Sequence, residues 1–492
     1  MKKNIWILTA LLFAVFLSAC QASPQKEAVV RRNDGAFDAN AVQPAEECHA
    51  PEQTEALSVQ DAFQSTDGSV TFQIAVQNSI HTPNMPVVEV VPHTLSEEEA
   101  RNAALALCGT SAHFYEAEPI LNERYSKDDI LAQIDRWASL ASVEGMQYLF
   151  PNGADFTWES DAQTLRESIA YLTSTYLNDD APDYAHTPCQ WTFKPSSHYL
   201  YGAEGMDGVD TSRDNEEISV WASNGEGRYS ELTISRRDRK DYKLNNIYYN
   251  ATISGPLMVE YALYRAEKLR TEHPNEAQIE NAVCKAQAIM EQMDLGTWKV
   301  IFSDVEVNQA GEVTEYIIHL NAVPVFENVA AIHRPQLSNL KSQTVYASNY
   351  YLTEATFDFS ADGTLMNFTL YSPVDVKQVL HENVKTMTSD QLFSRAKEHL
   401  ALSDAYAYGA SLERIGTGYD CTVTISQVEY GLTRTKVPNT DESYYYVPAA
   451  VFRGTVEYRM QDATDAFYYR EDVPLLMLNA VDGSVIPLDN ES

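Results

Sequence analysis

The sequence predicts an α+β protein: an N-terminal mixed helix/sheet domain followed by two tandem helix-plus-antiparallel-sheet units. Three observations predict it. Segments such as Ser69-Val-Thr-Phe-Gln-Ile-Ala-Val76 alternate apolar and polar residues, the period of a half-buried strand. Other segments carry apolar residues at helical spacing behind capping signals, as at Ser96-Glu-Glu-Glu99, where the serine caps and the third glutamate completes a capping box. The C-terminal half also contains a weak internal repeat in which a helix, strands and an Asp-Gly hairpin recur in the same order.

In chain order, residues 1–19 read as a lipoprotein signal peptide. Lys2 and Lys3 supply the positive start, and Ile5 to Leu17 form an apolar core too short for a transmembrane helix, which needs roughly 20 residues. Leu17-Ser18-Ala19-Cys20 matches the bacterial lipobox at all four positions, and that similarity implies a diacylglycerated Cys20 as the mature N-terminus. Two acyl chains, at about 0.8 kcal/mol per buried methylene, hold far better than one. The expected address is the extracytoplasmic face of the cell membrane. Residues 20–55 lack apolar periodicity and read as a lipidated flexible tether with a reach of about 30 Å.

The N-terminal α+β domain is expected over 56–265. After the alternating strand come an extended Val87–Val91 and a helix from Ser96 to the Cys108-Gly109 stop. A second helix opens at Ser126 with Ile130, Ile134, Trp137 and Leu140 on one side, and a third covers Asp161 to Leu177. Pro182 to Asp214 reads as a long irregular connection, and strands are expected at Glu217–Trp221, Arg228–Arg236 and Tyr242–Ile253. Unit 1 (266–385) and unit 2 (386–492) begin with helices at Asn275–Met293 and Thr388–Leu402. They continue with the similar strings Tyr316–Phe326 and Tyr444–Phe452, and close with hairpins around Asp362-Gly363 and Asp482-Gly483, for which a type I′ turn is expected.

Composition bounds the function. With 492 residues, 44% of them hydrophobic, the chain can build real cores, and its formal charge of −35 becomes −37 once Lys2 and Lys3 leave with the signal. Such a field disfavours nucleic acid and anionic surfaces. The densest basic cluster, Arg236, Arg237, Arg239 and Lys240, is flanked by Asp238 and Asp241 and reads as a solvated strand end or turn. Lipidation of Cys20 leaves Cys48, Cys108, Cys189, Cys284 and Cys421, an odd number without a Cys-x-x-Cys. At most two bridges are open to them, and buried free thiols are expected for Cys108 and Cys284.

No catalytic constellation survives inspection. His381-Glu382 begins like a zincin helix, but Lys385 stands where the second histidine belongs. Ser338-x-x-Lys341 and Ser394-x-x-Lys397 lack the partner motifs of penicillin-recognising enzymes. Asp207, Asp210, Asp214, Glu216 and Glu217 lack the order of a calcium loop and read as a solvated acidic segment. No cofactor or metal is called for. The 29 tyrosines include pairs at Tyr248-Tyr249, Tyr350-Tyr351 and Tyr468-Tyr469 and a triple at Tyr444–Tyr446. In a strand each pair places one ring inward and one outward.

Cys20-Gln-Ala-Ser-Pro24, Val87-Val-Glu-Val-Val-Pro92, Tyr446-Val-Pro448 with Val451-Phe452, and Leu478-Asn-Ala-Val-Asp-Gly-Ser-Val-Ile486 together resemble a domain-of-unknown-function family of lipoproteins from Gram-positive, gut-type bacteria. The resemblance spans nearly the whole mature chain and implies no known activity. Where the family has Trp after Val-Pro, this chain has Ala449-Ala450, so a tryptophan-lined feature does not carry over. The repeated units are more distantly similar to extracytoplasmic sheet-plus-helix modules of cell-wall signalling regulators and peptidase propeptides, a fold-level analogy. The expected function is a non-enzymatic, membrane-anchored accessory or sensory protein that binds a protein or cell-wall partner. The alternative is a small-molecule or glycan-binding lipoprotein, and the third reading a hydrolase without a recognisable motif.

Overall fold

The computed structural model describes residues 56–80, 84–117, 126–149, 158–180, 187–195, 215–223, 229–239, 242–251, 272–310, 313–333, 353–403, 419–437, 443–460, 466–486 and 488. The earlier part of the chain contributes β1 (Ala56–Gln64), β2 (Val70–Ile80), β3 (Asn84–Pro92), α1 (Glu97–Cys108), β4 (His113–Glu116), α2 (Lys127–Leu140), α3 (Val143–Leu149), α4 (Trp158–Tyr176), β5 (Lys194–Pro195), β6 (Asn215–Ser223), β7 (Tyr229–Arg239) and β8 (Tyr242–Asn250). The later part contributes α5 (Glu276–Met293), β9 (Trp298–Ala310), β10 (Val313–Phe326), β11 (Val329–Ala330), β12 (Glu354–Ser360), β13 (Leu365–Tyr371), β14 (Val374–Lys385), α6 (Ser389–Leu400), β15 (Tyr419–Lys436), β16 (Tyr444–Met460) and β17 (Ala466–Asn479). Four helices start as the sequence dictates, with reciprocal capping boxes at Ser96/Glu99, Ser126/Asp129, Asn275/Gln278 and Thr388/Gln391.

The strands form two sheets, and their order corrects the expected architecture. An N-terminal domain followed by two tandem units does not describe them, because each sheet interleaves early and late strands. The seven-stranded sheet runs β1-β2-β15-β16-β3-β14, with β17 on β16, and the ten-stranded sheet runs β11-β10-β12-β13-β8-β7-β6-β4, with β5 on β6 and β9 on β10. The class is still α+β. A short antiparallel unit leaves unpaired N–H and C=O groups along its edges, and here the early strands satisfy them. β2 lies parallel to β15, from Val70 opposite Cys421 to Ile74 opposite Ile425. β3 sits between β16 and β14, and β8 pairs with β13. β3 is accordingly buried from Met85 to Val90 and reads as a nearly continuous apolar run.

One core lies between the ten-stranded sheet and α1 and α5. There Ala100, Ala103 and Ala104 share a cluster with Ala282, Ala286 and Met290, over Ile318, Leu320, Phe357, Phe359 and Phe368. A second lies between α6, through Leu392, Phe393, Ala396 and Leu400, and β2, β15, β16 and β17. Trp137 centres a third among α2, α3 and α4.

The Asp-Gly turns also differ from expectation. Only the glycine is left-handed, at φ 80° for Gly363 and 73° for Gly483. The aspartate instead accepts the N–H of the residue after the glycine, Thr364 or Ser484, at 2.9 Å in both cases. That is a type I turn closed by a glycine bulge. The type I′ geometry occurs at Glu327-Asn328 (φ 48° and 65°), between β10 and β11. Cys108, Cys189, Cys284 and Cys421 are free thiols, and Cys284, expected inside, is exposed.

Candidate functional site

The ten-stranded sheet has an inner face under α1 and α5 and an outer face built by the alternate residues. Register aligns these outer residues into rows across the strands. One row runs from Asn321 through Thr356, Thr369 and Tyr248 to Thr233. The next runs from His319, opposite Asp304, through Asp358, Asn367 and Asn250 to Glu231. At the far end Trp221 and Tyr229 on this same face are covered by Ile130 of α2. Between that helix and β9 lies a polar floor of hydroxyls, amides and carboxylates.

Tyr248 is the exposed ring on the floor, 42% accessible, while its neighbour Tyr249 is buried in the inner core, as alternation requires. The Asn250 side-chain amide donates to the Tyr248 hydroxyl at 3.4 Å. Both residues belong to β8 and point the same way, so the ring lies along its strand.

His319 is a cation set among the carboxylates of the site. Its Nδ1 is 2.7 Å from Asp358 Oδ1 and its Nε2 2.8 Å from Glu306 Oε2, and Asp358 also accepts from the Asn367 amide at 3.1 Å. The bond to Asp358 outweighs the opposing effect of burial; with Glu306 and Asp304 adding to it, the histidine is raised from 6.5 to about 9. At neutral pH it is an imidazolium donating at both nitrogens, which makes it a fixed cation and leaves neither a lone pair for a metal nor a base for proton abstraction.

Two further histidine groups sit where the sheets meet. His93 contacts Asp375 and Glu99, and His333 Nδ1 lies 2.6 Å from Glu354. Beside His333 the Asn321 amide donates to the Ser303 hydroxyl, and Arg453, 6% exposed, donates to the His333 carbonyl at 2.6 Å and to Glu429 at 3.1 Å. The backbone joins here too, with Ile332 N–H donating to Leu432 O at 2.8 Å. Glu89, inside β3, keeps its carboxylate charged despite burial because Lys377 and Gln378 donate to it, which holds its pKa below the ordinary value of 4.5. Burial pushes the thiols of Cys108 and Cys421 up to about 12 and about 11, far from a reactive thiolate.

The residues singled out in the sequence are otherwise dispersed. Cys20, Cys48, Ser338, Lys341, Tyr350, Tyr351, Asp207, Asp210 and Asp214 lie outside the described residues. Arg236 is paired with Glu216 at 2.6 Å and stacks over Phe193 at 4.0 Å, a structural role. His381 lies on a strand, β14, which removes the zincin geometry along with the missing second histidine. Lys397 is paired with Asp61 at 2.5 Å. Among the described residues no three or more His, Cys, Asp or Glu side chains gather as a metal site. The sequence reading missed His319, Glu306 and Asp358, which lie 13 and 39 positions from the histidine. Each sits at an outward position of its strand, so the signal was present but needed the register to be read.

No family model and no curated protein matches the chain. Among solved structures it is similar to an uncharacterized protein from Eubacterium rectale, at 10% identity and a TM-score of 0.35, over 87% of this chain and 94% of that one. It is also similar to the C-terminal domain of YpeB from Bacillus megaterium, at 10% identity and a TM-score of 0.24, over 60% of this chain and 85% of that one. The chain is thus distantly similar to another uncharacterised bacterial protein.

Proposed function

We propose that the protein is a non-enzymatic accessory or sensory lipoprotein, anchored through Cys20 on the extracytoplasmic face of the membrane, that binds a protein or cell-wall partner. The anchoring half rests on Leu17-Ser18-Ala19-Cys20 and the Lys2-Lys3 start, and membership of a lipoprotein family of Gram-positive, gut-type bacteria rests on the same end of the chain together with the Val87–Pro92 and Leu478–Ile486 strings. The binding half rests on one observation: the outer face of the ten-stranded sheet is a polar floor with an exposed tyrosine and a fixed imidazolium. A face spread over six strands suits contact with an extended partner.

Two measurements test the reading. Cys20→Ala should move the protein from the membrane fraction to the soluble fraction, and full retention in the membrane would refute the anchor. A photo-crosslinker placed at Tyr248 or Thr369 should capture a discrete partner in intact cells, whereas one at Tyr171, exposed on α4, should not. Equal capture at all three positions would refute the assignment of the face.

A further inference from the structure

Two connections carry the chain between the sheets side by side. Pro92 ends β3 in the seven-stranded sheet, and residues 93–96 lead to α1 on the ten-stranded sheet. In the opposite direction Tyr371 ends β13 in the ten-stranded sheet, and only Ser372 and Pro373 separate it from β14 at the edge of the seven-stranded one. Ser372 makes that turn at φ 44°, in the left-handed region that non-glycine residues avoid. The crossings are laced together: His93 N–H donates to Pro373 O at 2.9 Å, the Asn245 amide of β8 donates to His93 O at 2.5 Å, and Ser372 N–H donates to Asn245 O at 2.8 Å.

The His93 side chain closes the lacing. Its Nδ1 lies 2.9 Å from both oxygens of Asp375 on β14, and its Nε2 3.0 Å from Glu99 Oε1 on α1. The other oxygen of Glu99 accepts from the N–H and the hydroxyl of Ser96, both at 2.7 Å, in the capping box. Nδ1 is hydrogen-bonded to Asp375, whereas Nε2 faces Glu99 without a hydrogen bond, so that half of the contact is an attraction of charges and needs the imidazolium.

We propose that His93 is a proton-operated clasp at the hinge between the two sheets, holding β14 to the N-terminus of α1 when cationic and releasing them when neutral. The charged groups around it are consistent. β14 presents Asp375 and, two residues on, Lys377, which is committed to Glu89 of β3. α1 presents Glu99, with Glu97 and Glu98 in the same turn. Arg236 of β7 reaches the Leu95 carbonyl at 3.3 Å and is paired with Glu216, and β8 presents the neutral Asn245. Burial favours the neutral ring and pulls its pKa down, but Asp375 and Glu99 prevail and hold it above 6.5. A group stabilised in its charged form contributes fully below its unfolded value and loses that contribution as pH rises through its folded one, so the clasp is closed in acid and opens toward alkaline pH.

Hydrogen exchange of the full chain between pH 5.5 and 9, corrected for the intrinsic rate, tests it. Amides in 93–99 and 372–376 should lose about tenfold in protection as pH rises, while 447–452 in β16 should not. In His93→Gln the hinge profile should be flat, and in Asp375→Asn, which leaves Glu99 alone with the ring, the loss should begin at lower pH. An identical hinge profile in His93→Gln and wild type, or a loss shared equally by 447–452, overturns the proposal. Should His93→Gln fail to fold, Asp375→Asn decides, because an unmoved profile there overturns the proposal equally.

Discussion

Replacing His319 with glutamine removes the fixed cation of the outer face and keeps a side chain able to donate to one carboxylate. The folded value of about 9 stands well above the ordinary 6.5, which sets an upper bound of about 3 kcal/mol. The ring is 27% exposed and Glu306 47%, so solvent screening reduces this to about 1 kcal/mol. Because the folded value lies above the unfolded one, this stabilisation is complete below pH 6.5 and is lost as pH rises to 9. The deficit of His319→Gln relative to wild type should therefore be largest at pH 6 and vanish by pH 10. Urea denaturation of both proteins at pH 6, 8 and 10, followed by circular dichroism and compared through midpoints, reads this difference. A deficit independent of pH would show that the histidine acts through packing alone and refute the electrostatic account.

Other outcomes follow from packing and caps. Gly454→Ala places a Cβ 1.8 Å from the Thr424 carbonyl in the neighbouring strand, so the strands must separate; a loss of about 3 kcal/mol or failure to accumulate folded protein is expected by thermal melting. Phe452→Ala, at a fully buried position against Phe393, should cost about 3 to 5 kcal/mol in the same assay. Ser96→Ala removes the α1 cap and should cost about 1 kcal/mol, read as a lower denaturation midpoint. In native protein a thiol reagent followed by peptide mapping should label Cys284 quickly and Cys421 only after unfolding.

The local pieces of this fold were legible because local chemistry makes them. Ser96 and Glu99 announce α1, Ser126 opens α2, and the alternation from Ser69 to Val76 announces β2. The Asp-Gly hairpins were placed correctly although their turn type was not, since a type I turn with a glycine bulge uses the same dipeptide as type I′. The arrangement of strands was not legible. Nothing in Val70–Ile74 says that it will lie parallel to Cys421–Ile425, some 350 residues away, because backbone hydrogen bonds between strands carry no sequence label and the apolar pattern specifies only which side faces in. The internal repeat invited a tandem reading, but its edges are completed by early strands instead.

The site divides the same way. By itself the sequence determined the acidic character of the chain, a matter of composition, and the lipobox match at Cys20, the capped helices and the alternating strands, which depend on residues a few positions apart. Only the tertiary structure decided that β3 would sit between β16 and β14, that His319 would meet Glu306 and Asp358, and that His93 would span Asp375 and Glu99. The physical reason is register: strand pairing brings distant side chains within hydrogen-bond reach, and that contact, rather than any motif, gives these histidines their charge.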